Sequence, residues 1–130
     1  MPVELGMRGR AAAVAAEEDT ARALGSGTVP VLATPRMIAL MEQAAVNAVQ
    51  SELLPGQTTV GTRLDVTHDA ATPIGLKVWA EAELTAVEGR KLTFAVTAFD
   101  EREKIGGGTH ERFIIKPEKF VARAEAKAKA

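Results

Sequence analysis

The chain has 130 residues, 46% of them apolar and 25% charged, and a formal net charge of −1. This length fits one domain with a sizeable core, and the near-neutral charge gives no electrostatic reason to expect nucleic acid or a membrane as partner. The absence of cysteine excludes disulfides and thiolate sites, and two histidines argue against a structural zinc site. Without a long apolar segment or a secretory leader, we expect a cytoplasmic protein.

The N-terminal part predicts one strand followed by an irregular segment. Residues 1–15 alternate loosely between apolar and polar side chains, which favours a strand with Val3, Leu5 and Met7 on one side. Residues 17–29 are polar, small and rich in glycine, which is typical of a loop or a short helical turn. Because this segment precedes the longest predicted helix, it could serve as a lid.

The stretch from residue 34 to residue 53 predicts a long amphipathic helix. Thr34 suits the N-cap, and Pro35 at the first helical position already has a helical φ angle. An apolar stripe able to pack on a sheet comprises Met37, Ile38, Met41, Ala44, Ala45, Ala48 and Val49. Glu42 lies beside this stripe, where its carboxylate needs a partner or a water-filled crevice. Alternatively, Glu42 lies on the solvated flank of the helix.

After Pro55 and Gly56, which stop the helix, the sequence alternates with a period of two and predicts four antiparallel strands. The first of them places one row on a common side: Val60, Thr62, Leu64, Val66 and His68. The next two have apolar inward rows, which are Leu76, Val78, Ala80, Ala82 and Leu84, and then Leu92, Phe94, Val96 and Ala98. Three glycines at 106–108 begin the last strand and indicate a bulge or a close approach to its backbone.

One strand, a long helix and four antiparallel strands predict an α+β protein, in which a sheet of about five strands wraps around one central helix. This is the element order of the hot-dog fold. We assign residues 1–120 to a single domain and residues 121–130 to a charged, alanine-rich tail without an assigned function. Such a sheet leaves an edge uncovered, so we expect a homodimer.

Three side chains from the helix and the following strand have the chemistry of acyl transfer. Thr34, Glu42 and His68 supply a hydroxyl, a carboxylate and an imidazole, which together can activate a nucleophile or a water molecule. The helix N-terminus adds backbone N–H groups and a partial positive charge that can stabilise an oxyanion. Each residue also has a structural interpretation: Thr34 as a cap, Glu42 as a solvated residue and His68 as a hydrogen-bonded core residue.

On these residues, the sequence resembles the hot-dog thioesterases of the fluoroacetyl-coenzyme A thioesterase type. The resemblance covers roughly residues 3–120 and rests on the stretches VLATPRMIALMEQAA, VGTRLDVTHDAATPIG and IGGGTHERFIIKPEKF. It implies hydrolysis of an acyl-coenzyme A (acyl-CoA) thioester at the interface of a homodimer, with Thr34, Glu42 and His68 as catalytic residues. The glutamate of that family attacks the acyl carbon or activates water, with the histidine as base, and both routes are open here.

The segment before the helix departs from this resemblance. The specialised fluoroacetyl enzyme is thought to close its site with aromatic residues there, whereas residues 14–33 contain no Phe, Tyr or Trp. We therefore expect ordinary short or medium acyl groups rather than fluoroacetyl selectivity. The aliphatic side chains available to close the site are Leu24, Val29, Val31 and Leu32.

Three further residues are candidates for binding the substrate. Gly61 matches a family glycine whose backbone lies near the thioester, which here requires a bulge or a strand edge. Arg112, in the pattern Gly-x-His-x-Arg, suits a contact with coenzyme phosphate or pantetheine or, alternatively, an ion pair with a strand glutamate. Arg36 at the helix start is another phosphate candidate, and we expect His110 to be structural.

Two other functions fit the sequence less well. A noncatalytic protein that binds acyl-CoA as a sensor or carrier is the main alternative, but such regulators carry a DNA-binding segment for which the region before the helix leaves no room. A hot-dog dehydratase would pair Asp and His as Asp-x-x-x-x-His before the helix, and no histidine precedes His68. We therefore predict an acyl-CoA thioesterase without metal or cofactor beyond the CoA of its substrate, and without nucleic acid or membrane partners.

Overall fold

One long helix lies on a five-stranded sheet in the computed structural model, which describes residues 3–129. The strands are β1 (Arg8–Val14), β2 (Thr58–His68), β3 (Lys77–Glu88), β4 (Lys91–Asp100) and β5 (Lys104–Ile115). The helices are α1 (Ala21–Leu24), α2 (Thr34–Val49) and α3 (Pro117–Ala126), and short 3₁₀ turns occur at Glu17–Asp19, Gln50–Glu52 and Lys127–Lys129. Across residues 3–129, no helix has both the length and the apolar composition needed to cross a bilayer.

The strands pair antiparallel throughout, in the order β1-β3-β4-β5-β2. β3, β4 and β5 form a meander, β2 lies beside β5, and β1 lies beside β3. β1 and β2 are therefore the two edges of the sheet. This architecture confirms the predicted α+β fold with about five antiparallel strands around one long helix.

The core lies between α2 and the inward rows of β3 and β4. Helix α2 buries Met37, Leu40, Met41, Ala44, Ala45, Ala48 and Val49. The two strands bury the predicted alternating residues Val78, Ala80, Ala82, Leu84, Leu92, Phe94, Val96 and Ala98. Leu76, the first residue of the predicted row, precedes β3 and is only partly buried. The helical stripe is as predicted except that Leu40 is buried and Ile38 is only partly so. Small residues let the elements approach: a Cβ at Gly9 of β1 would overlap the Ala44 carbonyl of α2.

The first strand is shorter than predicted. β1 begins at Arg8, and the residues before it contain a turn that hydrogen-bonds to Leu84 on β3 through Gly6 and Met7. Leu5 is 65% exposed, so the expected row of Val3, Leu5 and Met7 is not one face of a strand. The predicted strand also included residues 1 and 2, which lie outside the described residues.

The C-terminal end of α2 is as predicted, and the C-terminal tail of the chain is part of a further helix. α2 continues as a 3₁₀ turn to Glu52, and Gly56 then adopts a φ of +81°, as expected for the stop at Pro55 and Gly56. The C-terminal residues form helix α3 from Pro117 onward. Residue 120 lies inside this helix, which has no buried residues, and the assignment of residues 1–120 to one domain stays a prediction.

Candidate active site

A threonine hydroxyl and a histidine ring meet where the start of α2 lies beside the end of β2. Thr34 Oγ1 is 2.7 Å from Nδ1 of His68. The prediction that Thr34 is the N-cap is wrong, because Ala33 occupies that position and Thr34 is the first helical residue. The hydroxyl is therefore not used for capping and bonds the imidazole instead.

The second ring nitrogen of His68, Nε2, is buried and has no hydrogen-bond partner within residues 3–129. Burial lowers the pKa of His68 below its ordinary value of 6.5. It outweighs the raising effects of the Ala70 backbone, which lies near the ring without the geometry of a hydrogen bond to Nε2, and of the Asp69 carboxylate. The ring is therefore neutral at neutral pH. A neutral imidazole bonded to a hydroxyl at one nitrogen can accept a proton in an acyl-transfer reaction.

Glu42 belongs to a second cluster, two helical turns further along α2. Its side chain is 39% exposed, and Oε2 lies 3.4 Å from Nη1 of Arg112 on β5. The carboxylate thus has a cationic partner on one side and access to solvent on the other. The ion pair and the contact with solvent offset the free-energy cost of placing a carboxylate beside the apolar stripe of the helix.

The sheet holds the Arg112 guanidinium from several directions. Nε donates to Oγ1 of Thr59 at 2.8 Å, and Nη2 donates to the Thr59 carbonyl at 3.0 Å. The side chain is only 7% exposed, and burial lowers its pKa while the Glu42 carboxylate raises it. Arg112 therefore faces Glu42 rather than the solvent, where a coenzyme phosphate would approach. Arg112 makes its ion pair with Glu42 on helix α2. The structural alternative had predicted an ion pair with a glutamate on a strand instead.

His110 completes this network as a neutral, fully buried residue. Its Nδ1 donates to the Arg63 carbonyl at 2.8 Å, which leaves Nε2 to accept from Nη1 of Arg112 at 3.1 Å. Burial is the main cause that lowers the pKa of His110, and the neighbouring Arg112 charge lowers it further, against the raising effect of the Arg63 carbonyl. Both ring nitrogens are engaged, as a structural histidine requires.

A bulge in β2 turns Gly61 towards Glu42. The register with β5 shifts between Gly61 and Arg63, so Thr62 has no opposite residue. A Cβ at Gly61 would lie 2.5 Å from Oε2 of Glu42 and 3.2 Å from Nη1 of Arg112. Strict alternation predicted that Gly61 lies on the face of β2 opposite to His68. This prediction is wrong, because the bulge reverses the alternation for the residues before Arg63 and turns Gly61 to the face of the helix.

Within one chain, the two clusters are separate. Thr34 and Glu42 are eight residues apart on α2, which is about 12 Å along a helix. Gly61, the residue against Glu42, lies towards the opposite end of β2 from His68. One chain therefore brings Thr34 to His68, and Glu42 to Gly61 and Arg112, but it does not bring Glu42 to His68.

The segment before α2 lies close to the Thr34 end. Arg36 Nε donates to the Asp19 carboxylate at 2.8 Å, which ties the first 3₁₀ turn to the helix. Of the aliphatic residues expected to close the site, Leu24 and Val29 are about half exposed, Val31 is partly buried and Leu32 is buried. Leu24 and Val29 thus present apolar surface to the solvent, and Leu32 belongs to the core.

Two members of the Glu42 network were not selected as site residues from the sequence. The alternation in Gly-x-His-x-Arg does place His110 and Arg112 on one face of β5, so a pairing between them was readable. The contact between Thr59 and Arg112 could not be predicted from the sequence, because it depends on the register between β2 and β5.

This sheet-wrapped helix, with its threonine–histidine pair and a half-buried glutamate held by a buried arginine, is the architecture of a hot-dog thioesterase, a hydrolase of acyl-CoA thioesters. The family model described as "FlK: Fluoroacetyl-CoA-specific thioesterase" matches residues 15–118. The chain therefore belongs to the fluoroacetyl-CoA-specific thioesterase family, as its resemblance predicted.

Individual relatives agree with this membership. The fluoroacetyl-CoA thioesterase of Streptantibioticus cattleyicolor is 50% identical over 100 residues, which make up 77% of this chain and 72% of the relative. A solved structure of the fluoroacetyl-CoA thioesterase FlK matches with a TM-score of 0.91 and 42% identity over 98% of each chain. A thioesterase superfamily member from Thermus thermophilus matches with a TM-score of 0.90 and 28% identity, over 98% of this chain and 95% of the other.

Proposed function

We propose that the protein hydrolyses short or medium acyl-CoA thioesters with Thr34, Glu42 and His68 as its catalytic residues. The observation that carries this proposal is the 2.7 Å contact between Thr34 Oγ1 and the neutral His68 ring, whose Nε2 has no partner in the described chain. In the tautomer in which Nδ1–H donates to Thr34 Oγ1, Nε2 carries the lone pair and can accept a proton from the reaction. The reaction needs no metal and no cofactor beyond the CoA of the substrate, and we place it in the cytoplasm.

The complete site forms between two copies of the chain. β2 is an edge strand, and its unpaired backbone groups can pair with a second β2 in antiparallel orientation. A twofold axis across this pairing brings the Gly61 end of one strand beside the His68 end of the other. Glu42 of one protomer then faces His68 and Thr34 of its partner, so each dimer has two sites.

Hydrolysis follows one of two routes at this composite site. In the first, His68 takes a proton from water, the hydroxide adds to the acyl carbon, the carbon–sulfur bond breaks, and the imidazolium returns the proton to the thiolate. In the second, the Glu42 carboxylate attacks the acyl carbon and expels the thiolate, which leaves a mixed anhydride. His68 then takes a proton from water, the hydroxide opens the anhydride to the free acid and the Glu42 carboxylate, and the imidazolium returns the proton to the thiolate. Backbone N–H groups at the start of α2 and near Gly61 stabilise the oxyanion in both routes.

We assign different roles to the two arginines that sequence analysis associated with phosphate. The contacts of Arg112 with Glu42, Thr59 and His110 support a positioning role for it, in which it orients the carboxylate. Arg36 lies beside Thr34 and keeps a substrate-binding role, although its ion pair with Asp19 already neutralises part of its charge.

The acyl group is small or medium and is not selected for fluorine. The segment before α2 has no aromatic side chain, and its exposed residues are the aliphatic Leu24 and Val29. Aliphatic side chains favour the binding of hydrocarbon chains because both bury apolar surface. These contacts contribute little to the discrimination between a fluorine and a hydrogen on the acyl group. We therefore expect acetyl-CoA, butyryl-CoA and hexanoyl-CoA to be hydrolysed at least as well as fluoroacetyl-CoA.

The test is thiol release from this panel of four thioesters by the wild type and by Thr34→Ala, Glu42→Gln and His68→Ala variants. We expect turnover to fall by about 100-fold or more for the Glu42 and His68 variants, within the range of general acid–base groups. The exposed Lys77→Gln variant is the control and should keep wild-type turnover. Full activity in both the Glu42 and His68 variants would show that the catalytic assignment is wrong.

A further inference from the structure

A buried carboxylate lies at the turn between β4 and β5, outside both clusters of the candidate active site. Asp100, the last residue of β4, is only 4% exposed. Within residues 3–129, no basic side chain forms an ion pair with it. A charge that is buried without a cation needs hydrogen bonds to remain ionised. The partners of its two oxygens therefore indicate the role of Asp100.

One carboxylate oxygen binds the segment that follows His68. Oδ2 accepts from Oγ1 of Thr72 at 2.7 Å, and Thr72 is fully buried. The carbonyl of the same threonine accepts from the backbone N–H of Leu32 at 2.8 Å. Leu32 precedes Thr34 by two residues and packs in the core. Through Thr72, Asp100 is thus linked to the start of helix α2.

The other carboxylate oxygen holds the turn from which β5 begins. Oδ1 accepts from the backbone N–H groups of Arg102 and Glu103, at 2.7 and 3.0 Å. Near the start of β5, the carbonyl of Ile105 accepts from the backbone N–H of Asp69 at 2.7 Å. Asp69 directly follows His68 at the end of β2. The same carboxylate is thus linked to the segment that carries the catalytic imidazole.

The hydrogen bonds keep this carboxylate ionised. Burial raises the pKa of Asp100, but the Thr72 hydroxyl, the two N–H groups of the turn and the Arg102 charge together bring it below its ordinary value of 3.8. An ionised acceptor forms shorter and stronger hydrogen bonds than a neutral one, which fits the 2.7 Å distance to Thr72. The bond between Thr72 and Asp100 is therefore a firm link between the two segments.

We propose that Thr72 and Asp100 are positioning residues, which hold the start of α2 and the end of β2 so that the Thr34 hydroxyl meets the His68 ring. Thr34 is exposed and His68 is only partly buried. Packing alone therefore does not confine these two side chains, and the supports of their backbones keep them at 2.7 Å. The inference rests on the proposed function, in which this pair takes part in proton transfer.

Removal of the Thr72 hydroxyl at nearly constant shape tests this role. In Thr72→Val, we expect kcat for acetyl-CoA to fall about tenfold with KM little changed, because a displaced pair reacts more slowly with a substrate that still binds. Thr72→Ser keeps the hydroxyl and should retain most of the wild-type kcat. The matched control is Thr85→Val, which removes an exposed threonine hydroxyl on β3 and should keep the wild-type kcat. A merely structural bond would lower the thermal midpoint of Thr72→Val and leave the kcat of the folded protein unchanged.

Asp100→Asn tests the same bond from its other partner. The amide has one oxygen, so it cannot accept from both Thr72 and the turn. We expect kcat to fall at least about threefold, again with KM little changed. In the Thr72→Val/Asp100→Asn double variant, kcat should be no lower than in the slower single variant, because both changes break one link. Losses that multiply would show that the two residues act independently and would contradict the proposal.

A measurement without substrate separates this inference from the proposed function. The chain has only two histidines, so NMR of the ring nitrogens can follow His68 and His110 separately. In Thr72→Val and Asp100→Asn, we expect the Nδ1 signal of His68 to shift as its hydrogen bond with Thr34 is lost, whereas the His110 signals stay in place. Unchanged His68 signals in both variants, or wild-type kcat in Thr72→Val, would refute the positioning role and leave the thioesterase proposal intact. If the wild type released no thiol, the proposed function would fail, and the His68 signals would still decide whether Thr72 and Asp100 position the ring.

Discussion

The two histidines share a lowered pKa, but their hydrogen bonds give them different uses. His110 has both nitrogens engaged, one by the Arg63 carbonyl and the other by Arg112, so its neutral form is part of the fold. His68 has one nitrogen on the Thr34 hydroxyl and a second that is free of partners in the described chain. Burial lowers the pKa in both cases, yet only His68 has capacity left for a proton from the reaction.

The pKa of His68 predicts the acid limb of the pH profile. A general base works in its neutral form, and a lowered pKa keeps that form present to more acidic pH. We therefore expect log kcat/KM for acetyl-CoA to be flat near neutrality and to fall only below pH 6.5, the ordinary pKa of His68. The measurement is a pH series on the wild type and on His110→Asn, which should keep the same midpoint. A limb centred above pH 6.5 would contradict the assignment of His68 as the base.

Arg112 allows a test of positioning by a substitution that keeps its charge. Lysine has a single nitrogen and cannot reproduce the separate bonds to Thr59, Glu42 and His110. We expect Arg112→Lys to lower kcat by about 10-fold to 100-fold, because a displaced carboxylate loses its reactive alignment.

The split between kinetic constants distinguishes this role from phosphate binding. If Arg112 acts through Glu42, KM for acetyl-CoA should change little, whereas a phosphate contact would raise KM and leave kcat intact. Arg63→Lys, at an exposed position on the same edge strand as Gly61, is the matched control and should resemble the wild type.

At the scale of elements, the sequence predicted regular alternation well and its interruptions poorly. The inward rows of β3 and β4 follow directly from a period of two, because every second residue faces the helix. The bulge at Thr62 has no comparable signal in the sequence, and it decides which way Gly61 faces. The role of Thr34 has no clear signal in the sequence either. Its residue type suits a helix cap, but its hydroxyl forms a hydrogen bond with His68, 34 positions away.

Gly61 tests whether the bulge serves the site. Alanine at this position would place Cβ 2.5 Å from Oε2 of Glu42, so the carboxylate must move. We expect Gly61→Ala to fold with a thermal midpoint close to that of the wild type and to lose activity on the order of 100-fold, as small displacements of catalytic groups do.

The control for this variant is another glycine-to-alanine change away from the site. A Cβ at Gly27 would meet only the Ala21 side chain at 3.3 Å, so Gly27→Ala should keep both activity and thermal midpoint. Wild-type turnover in Gly61→Ala, with its fold intact, would show that the Gly61 approach to Glu42 has no catalytic importance.

At the scale of the whole molecule, the separation of the two clusters is itself an argument for a dimer. Sequence spacing suggested that three groups would meet, and the structure of one chain brings together only two of them, Thr34 and His68. The third, Glu42, lies about 12 Å further along the same helix. In the proposed dimer, antiparallel pairing of two β2 edges would supply the missing proximity at both ends of the interface and would cover the free edge of the sheet.

Mixing two inactive variants tests this composite site. In a mixed dimer of Glu42→Gln with His68→Ala, one site receives both substitutions and the other receives neither. Random exchange of subunits makes half of the dimers mixed, each with one intact site, so activity should recover to about a quarter of the wild-type value. Thiol release is measured after the variants are denatured and refolded together, with each variant refolded alone as the control. If Glu42 and His68 act within one chain, every site keeps one defect and the mixture stays as inactive as its components.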